Sequence, residues 1–124
     1  MAENSNPIDL VFDAEYRDLR DSVAEKYFGG NGKMRDACLF ALSIGIRYNQ
    51  RIRKDQWSDK KPISWTDLDR LKVQVGDFNV LFDYMDVNKE GFSTKEMIDE
   101  FVTGGLHFIK LNSLDQDGNF CELP

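Results

Sequence analysis

The chain has 124 residues, of which 41% are hydrophobic and 31% charged, and its formal net charge is −6. This composition is typical of one globular domain and excludes a disordered acidic tail. An acidic total also argues against indiscriminate coating of nucleic acid, which requires Lys and Arg to neutralise phosphates. The longest apolar stretch, 37–46, is far shorter than the roughly 20 residues that span a bilayer. The N-terminus has no secretory signal pattern, so we expect a cytoplasmic protein without a membrane partner.

Charge is distributed unevenly along the chain. Residues 1–27 carry seven acids and three bases, residues 28–62 carry three acids and eight bases, and residues 63–124 carry twelve acids and five bases. The segment sums are −4, +5 and −7. The middle segment is therefore a basic island between two acidic flanks, and it is the first candidate for a contact surface.

The first half of the chain predicts a strand and two helices. Alternation of Ile8, Leu10 and Phe12 with polar residues favours a short strand. Asp13 can then cap an amphipathic helix over 14–28, which the glycines at 29–32 end. A second helix over 34–50 is apolar on nearly all sides, as expected for a central helix. Gly45 within it predicts a close helix contact.

The second half begins with a charged segment and ends with the best-specified helix. Residues 51–62 lose the apolar period and read as a basic surface loop that contains Trp57. Ser64 or Thr66 can cap a short helix that reaches Leu71. Asp77 can cap a further helix whose inner face is Phe78, Leu81, Phe82 and Met85.

Ser93 and Glu96 form an S-x-x-E capping box at the start of the last helix. The expected buried stripe of this helix is Met97, Ile98, Phe101, Val102 and Leu106. Gly104 and Gly105 predict either a close backbone approach or an early helix end.

These elements predict a mainly α fold. The expected architecture is a compact single-domain bundle of four to five helices, with or without a short N-terminal strand. The domain covers 1–124, with a flexible N-terminus at 1–7, the basic loop at 51–62 and a loosely ordered tail at 112–124. The expected core packs Leu39, Phe40, Leu42, Ile44 and Ile46 against Leu19, Val23, Phe82, Phe101 and Leu106. Cys38 is expected to be a small buried hydrophobe, since the two cysteines have neither disulfide-framework nor metal spacing.

One alternative interpretation concerns calcium. Asp86, Asn88 and Glu90 lie between two predicted helices and Glu96 follows on the second, and this arrangement resembles a degenerate EF-hand loop over about 24 residues. Counted from Asp86, the twelfth residue is Met97, so the bidentate carboxylate falls one residue early. The competing interpretation is a helix-loop-helix interaction module whose turn is rich in Asp, Asn and Gly.

A second alternative is DNA binding. A strand followed by two helices resembles the order in ribbon-helix-helix regulators, in which strand side chains of a dimer read bases in the major groove. Here the polar strand residues, Asp9 and Asp13, are acidic and would be repelled by phosphate.

Catalysis has the weakest support, and we expect a non-enzymatic protein without a cofactor. The single histidine, His107, has no serine or cysteine at a diagnostic spacing, and a helix-terminal histidine satisfied by backbone or solvent is the simpler interpretation. Asp99 and Glu100 point to different faces of a helix and do not form an evident acid and base pair.

The succession KMRDACLFALSIGIRYNQRI, KKPISW and EMIDEFVTGGLHFI is similar to small accessory proteins associated with bacterial Dnd, or DNA phosphorothioation, defence clusters. The arrangement covers about residues 12–110, and Val102 and Thr103 depart from the Ala and Asn expected of that family. The resemblance implies a context, prokaryotic defence against foreign DNA, and no catalytic residues. The specific matches are Ala41, Gly45, Arg47, Asn49, Arg51, Phe101, Gly104, Gly105 and Leu106.

The resulting hypothesis is a non-enzymatic accessory or adaptor protein of a bacterial DNA-modification or anti-phage system. Its basic surface would contact a protein subunit of that system or nucleic acid, because Arg and Trp often dominate binding energy at interfaces. The sequence does not fix the oligomeric state. The expected contact residues are Arg47, Arg51, Arg53, Lys54, Trp57, Lys60 and Lys61.

Overall fold

The structure is a computed structural model that describes residues 9–29, 33–58, 61–67, 75–89 and 91–112. The predicted flexible N-terminus lies outside these residues, as do Lys60, Glu90 and all of the predicted tail except Asn112. Six regular elements are present in the described part: β1 (Asp9–Phe12), α1 (Arg17–Phe28), α2 (Met34–Arg47), β2 (Ile63–Asp67), α3 (Val75–Tyr84) and α4 (Thr94–Asn112). Short 3-10 turns cover Ala14–Tyr16 and Lys54–Gln56. The predicted mainly α fold with a short N-terminal strand is confirmed.

Strands β1 and β2 form an antiparallel pair in which Asp9 lies opposite Asp67 and Phe12 opposite Ile63. Leu10 and Phe12 are fully buried and Asp9 is exposed, so the predicted alternation of β1 is correct. The prediction of a helix that starts at Ser64 or Thr66 is wrong for residues 63–67, which form strand β2. Local capping chemistry pointed to a helix there, but pairing with a strand some 50 residues earlier decides the conformation, as is usual for β structure.

The ends of α1 follow from side-chain capping and glycine. Asp13 accepts a hydrogen bond from the Glu15 amide at 3.1 Å and so caps the 3-10 turn that leads into α1. Gly29 adopts a left-handed conformation, φ 86°, and its amide donates to the Ala24 carbonyl. Both boundaries agree with the sequence-based prediction, since these residue types have strong local preferences.

Helix α2 ends at Arg47, three residues earlier than predicted. Asn49 has φ 53°, its amide donates to the Ile46 carbonyl at 3.3 Å, and the Gln50 amide donates to the Gly45 carbonyl at 2.7 Å. This pair of bonds is a Schellman motif with Asn in the position usually held by Gly. The chain therefore turns sharply at Asn49 and directs the basic segment back towards α4.

Helices α2 and α4 cross with their backbones almost in contact. A Cβ atom at Gly105 would lie 1.8 Å from the Ala41 carbonyl oxygen, and one at Gly45 would lie 2.2 Å from the Phe101 carbonyl oxygen. Gly104 approaches the Gln50 carbonyl in the same way, at 2.1 Å. The close approach predicted at these glycines is confirmed, and the alternative of an early helix end is wrong because α4 continues to Asn112.

The core lies around this crossing. The predicted stripe of α4 is fully buried, and so is Cys38. Of the residues predicted at the core centre, Leu39, Leu19, Phe40 and Ile46 are only partly buried, and the small residues of α2 take their place against α4. Phe82 anchors α3, whereas its neighbours Leu81 and Met85 remain 37% and 42% exposed. None of the helices in the described ranges has the length and apolarity needed to cross a membrane.

Candidate partner-binding surface

Arg51, predicted as a contact residue, is directed inwards. Its Nε donates to Glu100 Oε1 at 2.8 Å, and its Nη1 donates to the Asn88 carbonyl at 2.8 Å. Glu100 is 1% exposed and the Arg51 side chain 12% exposed, so this is a largely buried ion pair. The guanidinium also lies 5.1 Å from the Phe92 ring centroid. Arg51 therefore joins the α2–β2 connection to α4.

Lys54 is directed to the same helix. Its ammonium lies 2.9 Å from Asp99 Oδ2, and its amide donates to Glu100 Oε2 at 3.0 Å. Asp99 is completely buried, and it accepts further hydrogen bonds from Lys95 Nζ at 2.6 Å and from the Val11 amide at 2.9 Å. Burial raises the pKa of the Asp99 carboxyl above its ordinary value, and the contacts with the two ammonium groups offset only part of that rise.

Asp13 ties the far end of the same connection to the N-terminal strand. Its Oδ2 accepts a hydrogen bond from the Ser58 amide at 2.7 Å, and its own amide donates to Thr103 Oγ1 at 3.2 Å. Trp57 is 6% exposed, and its indole Nε1 donates to the Ile52 carbonyl at 2.9 Å. Residues 51–58 are thus held at several points by hydrogen bonds, while Asp55, Gln56 and Ser58 remain exposed.

Three buried carboxylates, Asp13, Asp99 and Glu100, account for this arrangement. Buried acids are stable only when hydrogen-bonded and paired, and the segment 51–58 supplies at least one donor to each of the three. Sequence reasoning considered Asp99 and Glu100 only as a catalytic pair and missed this role. The available indication was the small side chain of Thr103, which lies one turn after Asp99 and Glu100 on the face of α4 opposite its apolar stripe.

The other predicted contact residues have different surroundings. Arg47 is exposed at the end of α2, with its guanidinium 5.1 Å from the Tyr48 ring centroid, and it forms no ion pair within the described ranges. Arg53 is half-buried, 5.2 Å from the Phe92 ring centroid. Lys61 is exposed. The described members of the predicted set therefore divide by exposure: Trp57 is buried, Arg51, Arg53 and Lys54 are partly buried, and Arg47 and Lys61 are exposed.

Two cavities adjoin Arg47. One, of about 460 Å³, is lined mainly by apolar side chains of α2 and α3, including Leu42, Ile46 and Leu81. The other, of about 420 Å³, is lined by polar and apolar groups that include Arg51 and Asn88. Ile46, Arg47 and Met85 line both cavities, so the two are neighbours on the surface. Arg47 is at the centre of this surface.

In the segment that resembles an EF-hand loop, Asp86 and Glu96 have roles at the ends of helices. Asp86 has φ 57° and ends α3, with the Val87 amide donating to the Phe82 carbonyl at 2.9 Å. Glu96 Oε1 accepts hydrogen bonds from the Ser93 amide and hydroxyl, which confirms the predicted capping box. Among the described residues, no three His, Cys, Asp or Glu side chains are grouped so that they could hold a metal ion.

His107 is bonded to a side chain. The Tyr16 hydroxyl lies 2.9 Å from His107 Nδ1, and the two rings meet edge to face. Burial, with a smaller contribution from Glu15 and Asp13, raises the pKa of Tyr16 to about 12. A phenol with so high a pKa remains neutral, and its hydrogen bond with the imidazole joins the start of α1 to α4.

The N-terminal strand is used on both edges. One edge pairs with β2, and on the other the amides of Val11 and Asp13 donate to side chains of α4. A ribbon-helix-helix dimer would need a free edge of this strand for a second copy. The geometry does not favour that alternative.

Comparison with known proteins adds no relative. No protein-family model, curated protein or solved structure matches the chain. Functional inference therefore rests on the geometry and on the sequence pattern.

Proposed function

We propose that this chain is a non-enzymatic accessory or adaptor protein of a bacterial DNA-modification or anti-phage defence system, and that it contacts a protein subunit through the surface around Arg47. The defence context comes from the resemblance to Dnd-associated accessory proteins. The choice of a protein partner rests on the surroundings of Arg47.

Most positions that carry the resemblance have a role inside the fold. Gly45, Gly104 and Gly105 allow the helix crossing, Asn49 ends α2, and Arg51 pairs with Glu100. Arg47 differs because it is exposed and forms no ion pair in the described part of the chain. A side chain of this kind is available for an intermolecular contact.

The observation that favours protein over nucleic acid is the apolar cavity next to Arg47. Nucleic-acid surfaces contact many phosphates through several basic side chains. Here Arg51 and Lys54 already pair with Glu100 and Asp99, which reduces the positive charge open to a ligand. An exposed arginine beside apolar side chains instead resembles the arginine and hydrophobic anchors of protein interfaces.

Copurification with the proteins encoded next to this chain tests the proposal. We expect one of them to bind the wild-type protein, and Arg47→Glu to weaken that binding at least tenfold. The matched control is Arg35→Glu, which reverses an exposed charge on the same helix, outside both cavities.

Two results would contradict the proposal. One is equal loss of binding with the Arg47 and Arg35 variants. The other is salt-sensitive binding to duplex DNA that Arg47→Glu abolishes while no neighbouring protein binds, since that would indicate a nucleic-acid surface.

A further inference from the structure

The apolar cavity is an open groove between two helices. Its walls are Leu39, Leu42 and Ile46 from α2 and Phe78, Leu81 and Met85 from α3. Sequence periodicity predicts Phe78, Leu81, Phe82 and Met85 as an inner face, yet only Phe82 of these is fully buried. The groove is therefore an apolar helix face that the rest of the described chain leaves partly uncovered.

The exposed side of α3 continues this apolar surface. Val80 is 69% exposed and Tyr84 86% exposed, and they are four residues apart on one face of the helix. Leu81 and Met85 follow them one position later, at the edge of the groove. Contiguous exposed apolar surface of this type is characteristic of a binding site, and methionine adapts readily to different partner shapes.

The charge at the edge of the groove is positive. Among the described residues, Arg47 is the one charged side chain that lines the apolar cavity, and it is exposed. The adjoining polar cavity is less suited to an anion, because it also contains the Asp86 carboxylate and because Arg51 already donates to Glu100 and to the Asn88 carbonyl. A carboxylate of a partner bound in the groove could therefore accept from Arg47.

We infer that the groove binds an amphipathic helix of a protein partner, with the apolar stripe of that helix between α2 and α3 and one carboxylate directed to Arg47. This inference deepens the proposed function, because it names the chemistry of the partner at the Arg47 surface. A helix fits because the walls are themselves two helices, and an apolar helix face laid into such a groove is a common recognition mode. The acid is specified by charge complementarity with Arg47.

Selection from a displayed library of helical peptides tests the inference without a known partner. The peptides should be about 20 residues long, since shorter helices are marginal in water, with apolar residues fixed at i, i+3, i+4 and i+7 and the other positions random. We expect the wild-type protein to enrich peptides with Glu or Asp at one constant position beside the apolar stripe. Leu81→Glu should abolish their binding, whereas Leu111→Glu, at an exposed leucine of α4 outside both cavities, should not.

A double-mutant cycle tests the charge contact. Replacing the enriched Glu of the peptide by Gln should weaken binding to the wild-type protein about tenfold, as expected for a charge-assisted hydrogen bond. The same replacement should change binding to Arg47→Gln less than about twofold, and binding to Arg35→Gln as much as to wild type.

Three outcomes would overturn the inference. They are the absence of any enriched peptide, equal effects of the Glu to Gln change on wild type and Arg47→Gln, and a wild-type dimer that Leu81→Glu converts to a monomer. The last would show that a second copy occupies the groove. If peptides bind as expected but no neighbouring protein copurifies, the helix-binding groove stands and the proposed adaptor function fails.

Discussion

Replacing Gly105 by Ala should destabilise the protein sharply, because it separates the two central helices. The new Cβ would lie 1.8 Å from the Ala41 carbonyl oxygen and 3.0 Å from the Gly45 nitrogen. Ordinary contact begins at 3.4 Å, so the backbones must move apart by about 1.6 Å (3.4 minus 1.8). No rotamer change can relieve a clash between a Cβ and a backbone atom.

The expected magnitude follows from two opposing contributions. Overpacking a rigid core costs about 1–3 kcal/mol and more when the backbone must shift. Against this, alanine in place of glycine stabilises a helix by about 1 kcal/mol. With the overpacking cost at the upper end of its range, we expect a net loss of about 2 kcal/mol in the free energy of unfolding, which corresponds to a fall in Tm of about 8 °C for a chain of this size.

Urea denaturation monitored by circular dichroism measures this loss, and Gly76→Ala is the matched control. Gly76 lies in α3 with nothing within 4 Å of the added Cβ, so that variant should be as stable as wild type or more stable. If Gly105→Ala unfolds within about 0.5 kcal/mol of wild type, the helices do not approach as closely as described.

Three further outcomes follow from the buried groups. Glu100→Gln removes the negative charge that faces Arg51 in a largely buried site, and should lower the free energy of urea unfolding by about 3–5 kcal/mol. The double variant Glu100→Leu with Arg51→Met should recover most of that loss. A double variant less stable than the single variant would contradict the pairing. Asp99 has a raised pKa, so the native state binds its proton more tightly than the unfolded state does. Its contribution to stability is present below about pH 4 and is lost as the pH rises through the native pKa. The stability of wild type minus that of Asp99→Asn should therefore fall as the pH is raised above about 4. A rising difference would mean that the two lysines dominate over burial. Burial raises the pKa of Cys38 to about 12, so its thiol should react with a disulfide reagent only as fast as the protein unfolds, and rapid labelling of Cys38 in the native state would show that α2 is not packed as described.

The sequence predicted those parts of the fold that depend on local chemistry. The Asp13 cap, the end of α1 at Gly29 and the Ser93–Glu96 box all involve partners within five residues in the chain. The buried stripe of α4 and the close approach at its glycines were also predictable, because periodicity and residue size report them directly.

Elements that depend on distant partners were not predictable in the same way. Strand β2 is stabilised by β1, and the hydrogen bonds of Arg51 and Lys54 to Glu100 span 49 and 46 residues. A charged residue is seldom fully buried, so a run of arginines and lysines predicts an exposed surface. In the structure, however, Arg51, Lys54 and Trp57 pack internally. The candidate surface for a partner is therefore Arg47 with the α2–α3 groove.

Hydrogen exchange on the complex with a copurified neighbouring protein tests the central claim most directly. Binding at the groove should slow amide exchange in α3 and in the last turn of α2. It should leave residues 51–58 almost unchanged, because the contacts with Asp13, Asp99 and Glu100 already hold that segment in the free protein. Slower exchange confined to 51–58, with α3 unaffected, would contradict the account and would identify the basic segment itself as the partner's contact.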